Sequence, residues 1–278
     1  MTAVATPVPV TARPRPVADV TTMVRRTLLR AVRYPGLTVF LVAGPLVMLV
    51  LFVYVFGGAF GAGVVPGVTP GADGRAAYLA YITPALLAIT VVGGATSLAT
   101  SAAMDAAGGI MARFKTMAIS PGSVLSGQVI GFAVQALVAL VLVIGAAFAM
   151  GYRPDAGPLE WLALLGLTAA LAIALNWLCV AMGLSSRSVE TASNAPMILL
   201  LLPFLGSGFV PVETMPAGLR WFAEYQPFTP IIETVRGLLA GGAGLETSTV
   251  ALALGWIVVI GAAGHAWSRS LYRRERRI

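Results

Sequence analysis

Apolar residues run in six long blocks along this chain: Leu37 to Phe56, Tyr78 to Met104, Val129 to Met150, Leu159 to Leu184, Ala195 to Val210 and Val250 to Trp267. At about 1.5 Å rise per residue, some 20 apolar residues cross a ~30 Å hydrocarbon layer as a helix. The pattern predicts an all-α integral membrane protein with six transmembrane helices. The fifth block is the irregular one, because as a helix it reaches only about 24 Å before Pro211 ends it.

Polar positions give the orientation. Of the 18 Lys and Arg residues, all but Arg75, Arg153, Arg220 and Arg236 fall on the side that both termini share. The acids run the other way, with Asp73, Asp155, Glu160, Glu213, Glu224, Glu233 and Glu246 opposite. The positive-inside rule then predicts N-in and C-in. It also accounts for the net charge of +7: the basic residues orient the chain and meet anionic headgroups, and no nucleic-acid partner is needed. With 58% hydrophobic and 10% charged residues and a mean hydropathy of +0.88, lipid is the main solvent.

Residues 1–20 read as a disordered, Pro-rich cytoplasmic tail, and 21–35 as an interfacial amphipathic helix with Val24, Leu28 and Val32 set against Arg26, Arg30 and Arg33. Residues 36–268 form one six-span domain and 269–278 a basic cytoplasmic tail. About 36 residues precede the first span, which argues against a cleavable signal peptide.

Several chemistries are excluded. Lys115 is the only lysine and follows Arg113-Phe114, so no GxxxxGK[ST] loop exists and the chain is no P-loop ATPase by itself. One His and one Cys cannot build a zinc or haem site. Ser207 and His265 superficially suggest an intramembrane hydrolase, but they fall toward opposite ends of their spans, and His265 suits an interfacial position beside Trp267. The spans hold almost no ionisable residues, which weakens a proton- or sodium-coupled carrier. Energy for transport must come from outside the chain.

Two connecting segments are candidates for function. Inside, Asp105 to Gln128 is too long for a turn: Gly108 and Gly109 can break the second helix, Ile110 to Ala118 can form a short helix bearing Arg113, Phe114 and Lys115, and Pro121-Gly122 can end it. It reads either as a connector lying among headgroups or as a lever for a soluble motor. Outside, Pro211 to Gly244 is neither a long polar loop nor a span. Pro230 suits the first turn of a helix with Ile231, Ile232, Val235, Leu238 and Leu239 on one face, the pair Glu233 and Arg236 on the other, and Gly241-Gly242 as its stop. Two short helices dipping in from outside fit this pattern. Within the spans, Gln135 and Asn176 are candidate polar contacts along a substrate path, though amides also serve as interhelical glue. Gly93, Ser97 and Ser101 could let helices pack closely, within the bundle or across a subunit interface.

The order of Asp105 and Gly109, then Arg113, Lys115 and Pro121, then LPFLGSGFVPVETMP (Leu202 to Pro216) and QPFTPIIETVRGLL (Gln226 to Leu239) resembles the permease subunits of type-2 ABC exporters, in the style of the daunorubicin-resistance group. The resemblance runs from about Met23 to Tyr272. It implies a coupling helix at Arg113 to Ala118, with Asp105, Gly109, Phe114, Lys115 and Pro121 around it, docking on an ATP-binding subunit. It also implies outer re-entrant helices built around Phe209, Pro211, Glu213, Pro227, Glu233 and Arg236 that close the exit. One acid replaces the acidic pair often found at the start of the coupling segment, and Gly122 stands where an Arg commonly follows the Pro.

The resulting expectation is a non-catalytic permease subunit in the inner membrane. It would bind no cofactor itself; two partner subunits would hold ATP and Mg, and a second permease, identical or paralogous, would complete the complex. The cargo would be apolar or amphipathic, because the path offers few polar groups to a charged one. A motor-independent channel or carrier is the alternative, and an intramembrane hydrolase the more distant one.

Overall fold

A computed structural model of the chain describes residues 15–57, 72–109 and 121–274. Among these every regular element is helical. Helix α1 (Pro16–Arg33) opens on a proline at its first positions, where a missing N–H costs nothing. It therefore begins earlier than the boundary expected at residue 21. Tyr34, pushed to φ −121° and ψ 71° by the following proline, separates it from α2 (Pro35–Leu51), which runs on into a π-helical turn at Phe52–Phe56.

Helix α3 (Ala72–Ala107) has 36 residues, about 54 Å of helix, and outreaches the hydrocarbon layer. It is the centre of the bundle: Ile82, Leu86, Val91, Ala95 and Ala99 along it are fully buried. It ends at Ala107, and Gly109 takes up φ +68°, the left-handed turn that a glycine makes without a Cβ clash. The next helix, α4 (Pro121–Ala149), opens on Pro121 itself, ahead of the apolar block expected from Val129. Helix α5 (Pro158–Ser185) returns beside α3, so close that a Cβ on Gly183 would stand 2.4 Å from the carbonyl oxygen of Ala99.

The fifth apolar block is not one helix. α6 (Val189–Asn194) and α7 (Met197–Leu201) are separated at Pro196, and past Pro203 the chain proceeds through turns to Phe209. Of the six transmembrane helices expected, five are long and apolar enough to cross among the described residues, Val39–Phe56, Gly74–Ala107, Gly122–Ala149, Pro158–Ser185 and Thr247–Tyr272, and the fifth block is broken instead. The physical reason lies in the two prolines and in Gly206 and Gly208, which leave this stretch without a continuous ladder of backbone hydrogen bonds.

A 3₁₀ turn (Val212–Thr214) leads to α8 (Ala217–Tyr225) and α9 (Phe228–Leu239). α9 carries Pro230 in its first turn, as expected, and is followed by positive-φ glycines at 241, 242 and 244. Ten of its twelve residues are buried, packed among α3, α5 and the last helix, α10 (Thr247–Arg274). Protein thus surrounds the ends of this short helix, the condition for broken backbone at membrane depth. α10 runs parallel to α5: Gly261 meets Ala174, and Gly264 meets Leu178.

Candidate functional site

Polar side chains in this bundle gather at two places, one at each end of α3. At its C-terminal end, the inner one in the expected orientation, Asp105 is only 2% exposed. Arg26 donates to both of its oxygens, Nη1 to Oδ2 at 3.4 Å and Nη2 to Oδ1 at 3.5 Å, and Arg30 Nη1 donates to Oδ1 at 3.4 Å. Gln128 Nε2 from α4 donates to Oδ2 at 2.8 Å, and Arg30 also reaches Ser101 Oγ at 3.3 Å. One carboxylate therefore ties α1, α3 and α4 together. The two arginine side chains remain about one-third exposed, which screens each pair, while the buried carboxylate depends on them for compensation.

This arrangement differs from the amphipathic reading of α1. Arg26 and Arg30 face into the protein, whereas Val32 and Leu29 are exposed. The buried contacts of α1 are Met23 and Thr27, laid against Gly127 and Gly131 of α4. Of the expected basic face only Arg33 stays on the outside, and Arg25 is exposed as well. A cavity of about 180 Å³ opens beside the cluster, bordered by Arg26, Arg30, Tyr34, Ser97, Ser101 and Gln135.

The expected site residues divide as follows. Asp105 lies in the inner cluster and Gly109 caps α3; Pro121 opens α4. Arg113, Phe114 and Lys115 lie outside the described residues. Gln135 borders the inner cavity, with Nε2 3.5 Å from the Gly131 carbonyl. Asn176 does not join it: Nδ2 donates to the Val129 carbonyl at 2.9 Å, pinning α5 to α4. Ser97 and Ser101 also border the cavity, while Gly93 packs on Leu41 within the chain.

At the outer end, Arg236 of α9 lies with its guanidinium 4.1 Å from the centroid of the Tyr81 ring. It pairs with Glu233 and donates to the carbonyls of Ser207 at 2.9 Å and Tyr81 at 3.3 Å. Tyr81 Oη donates to the same Ser207 carbonyl at 3.0 Å. Gln226 Nε2 donates to the Leu202 carbonyl at 3.1 Å, and Ser207 N–H donates to Thr229 Oγ1 at 3.4 Å. Two carbonyls of the broken stretch thus find side-chain donors, Leu202 in Gln226 and Ser207 in Tyr81 and Arg236, as buried backbone requires.

Phe209 then stacks on Phe204, centroids 4.6 Å apart, and touches Phe52 at 4.9 Å. Pro211 starts the 3₁₀ turn, Glu213 is exposed within it, and Pro227 caps α9. Above α9, burial pushes the Tyr152 phenol up to about 12, with Asp155 adding to the rise and Arg236 opposing it; the group stays neutral there. Ser207 and His265 belong to different ends: Ser207 sits in this outer cluster, and His265 packs edge-on to Trp177, 4.4 Å between centroids.

Sequence reasoning passed over Arg26, Arg30 and Gln128 inside, and Tyr81, Gln226 and Thr229 outside. A signal existed for the inner set, since Arg26 and Arg30 stand four apart on one helix face and Asp105 is the lone acid at the end of a span. No comparable signal marks Tyr81.

A bundle of long helices with an apolar interior and a broken hairpin defines a polytopic membrane protein. The chain belongs to the ABC-2 type transporter family, whose profile matches residues 18–240. It is 27% identical over 234 residues to the daunorubicin resistance ABC transporter permease protein DrrB1 of Streptomyces coeruleorubidus, covering 84% of this chain and 79% of that one. It is 22% identical over 161 residues to a probable doxorubicin resistance ABC transporter permease protein, DrrC, of Mycobacterium tuberculosis, covering 58% of each. The chain is accordingly a multi-pass permease subunit of an ATP-driven exporter in a bacterial plasma membrane, and the family's ATPase resides in a partner subunit.

Proposed function

We propose that this chain moves an apolar or amphipathic substrate outward, as one of two permeases, identical or paralogous, joined to two ATP-binding subunits that hold ATP and Mg. Relatives named for daunorubicin and doxorubicin resistance support a drug-like amphiphile as cargo.

The observation that carries the mechanism is the sharing of Asp105 by α1, α3 and α4 at the point where the coupling segment leaves α3. Force applied to residues 110–120 by an ATP-binding subunit would reach three helices through one polar node. They would shift together as a rigid body, and the outer closure at Phe209, Pro211, Glu213 and Pro227 would open. The broken stretch from α6 to Ser207 serves as the sixth crossing, which keeps both termini inside.

Charge reversal of Arg113 and Lys115 to Glu tests this in the complex with its ATPase. Export should fall to background while the permease still folds and ATP hydrolysis runs uncoupled. Undiminished export would remove docking through those charges.

A further inference from the structure

We propose that the inner cavity holds the headgroup of an acidic membrane phospholipid, with an acyl chain lying in the apolar groove beside it. Arg26 and Arg30 bring two guanidiniums to the cavity wall, beside the carboxylate of Asp105. Both arginine side chains retain exposed surface. Hydroxyl groups on Ser97, Ser101 and Tyr34 border the same space, matching the hydrogen-bonding needs of a phosphodiester.

The surroundings select a lipid over a small anion. The cavity continues, across the shared residues Ala31 and Gln135, into a groove of about 560 Å³ between α1, α2 and α4. Leu28, Val39, Leu46, Val138 and Leu142 line that groove. Its position on the flank of an interfacial helix and the first span faces the inner leaflet, where acidic lipids reside and where basic pockets between helices take their headgroups. A free phosphate would leave the groove unused. A zwitterionic headgroup would bring its own cation against Arg30.

A lipid seated there would brace α1 against α2 and α4. Its binding is independent of which cargo the exporter carries.

The test is lipid retention by the complex purified with its ATPase and washed in mild detergent. Equimolar phosphatidylglycerol and phosphatidylcholine are supplied in nanodiscs before re-extraction. Phosphatidylglycerol should be retained in preference to phosphatidylcholine, at about one per permease chain. Arg30→Gln should reduce its retention about fivefold, the share of one cation near the surface, and Arg30→Lys should restore most of it. Arg25→Gln, which removes an exposed charge from the same helix, should change little.

Val138→Trp, which fills the groove and leaves every charge in place, should lower retention as well and stands as the test if Arg30→Gln does not fold. Equal retention of the two lipids, or equal losses from Arg25→Gln and Arg30→Gln, would overturn the proposal. So would undiminished retention in Val138→Trp, or full displacement of the lipid by inorganic phosphate.

Discussion

Gly131 of α4 lies directly beneath Thr27 of α1, so that a Cβ added to the glycine would stand 2.7 Å from the threonine Cβ. One turn earlier Gly127 repeats the arrangement under Met23, at 2.3 Å. The two glycines form a flat track four residues apart on which α1 is seated, the close helix approach that small residues permit. Both neighbours are Cβ atoms, which cannot swing away as the end of a long side chain can. Gly131→Ala should therefore lift α1 and cost about 1–3 kcal/mol, read as a lower melting temperature of the purified protein. Gly145→Ala on the same helix, where a Cβ meets nothing within 4 Å, should be neutral. Equal melting of the two variants would show that α1 is not held on this track.

The seating of α1 also depends on charge. Asp105→Asn leaves Arg26 and Arg30 facing a neutral amide, and Gln128 still donates to an oxygen already short of negative charge. With the arginines about one-third exposed, solvent screens part of the loss, and the stability decrease should be about 1–3 kcal/mol, below the cost of breaking a fully buried pair. In a double-mutant cycle, Arg30→Gln in the Asp105→Asn background should cost much less than it does alone. Simple additivity would mean that the two side chains do not interact in the membrane.

At the other end, Arg236 and Tyr81 share the Ser207 carbonyl. Tyr81→Phe removes one donor but keeps the ring under the guanidinium, so the effect should be mild, about 1 kcal/mol. Arg236→Lys should be worse, since an ammonium cannot reach the Glu233, Ser207 and Tyr81 acceptors in one planar fork. The readout is labelling of Phe209→Cys by a membrane-impermeant thiol reagent. The single native cysteine, Cys179, is 0% exposed and provides a silent background. Labelling should rise at least about tenfold in Arg236→Lys over the parent, corresponding to about 1.4 kcal/mol in the opening equilibrium, and only slightly in Tyr81→Phe. No change in Arg236→Lys would dissociate this cluster from the outer closure.

These clusters mark the limit of what periodicity reveals. Blocks such as Val129 to Met150 announce their helices because lipid demands a continuous apolar run, and Pro230 with Gly241 and Gly242 brackets α9 by local backbone chemistry. Hydropathy alone passed Ala195 to Val210 as a span, since composition says nothing about a broken ladder; Pro196 and Pro203 said otherwise. The inward turn of Arg26 and Arg30 was hidden for a different reason. Which face of α1 is buried depends on an acid 75 or more residues away, and on glycines in α4 that select Met23 and Thr27 as the contact stripe. Tyr81 likewise acquires its role only when α9 folds back against α3.

The broken stretch raises the question of how many times the chain crosses. Gly183, near the end of α5, meets Ala99 toward the inner end of α3, and α10 passes α5 in the same direction through Gly264 and Leu178. Tyr272, at the far end of α10, is buried with Leu98, Val124 and Val180. On the six-crossing reading proposed above, the start of α10 at Thr247 lies at the outer end, and residues 186–246 change sides. Ser207 is already held at the level of Tyr81, so the change falls between Ser186 and Ser207. Single cysteines placed at Ser193, Thr214 and Ser248 check this in intact cells with an impermeant maleimide. Thr214→Cys and Ser248→Cys should react at once, and Ser193→Cys only after the membrane is opened. Immediate reaction of Ser193→Cys would put α6 outside and reduce the crossings to five, with the C-terminal arginines on the wrong side for the positive-inside rule.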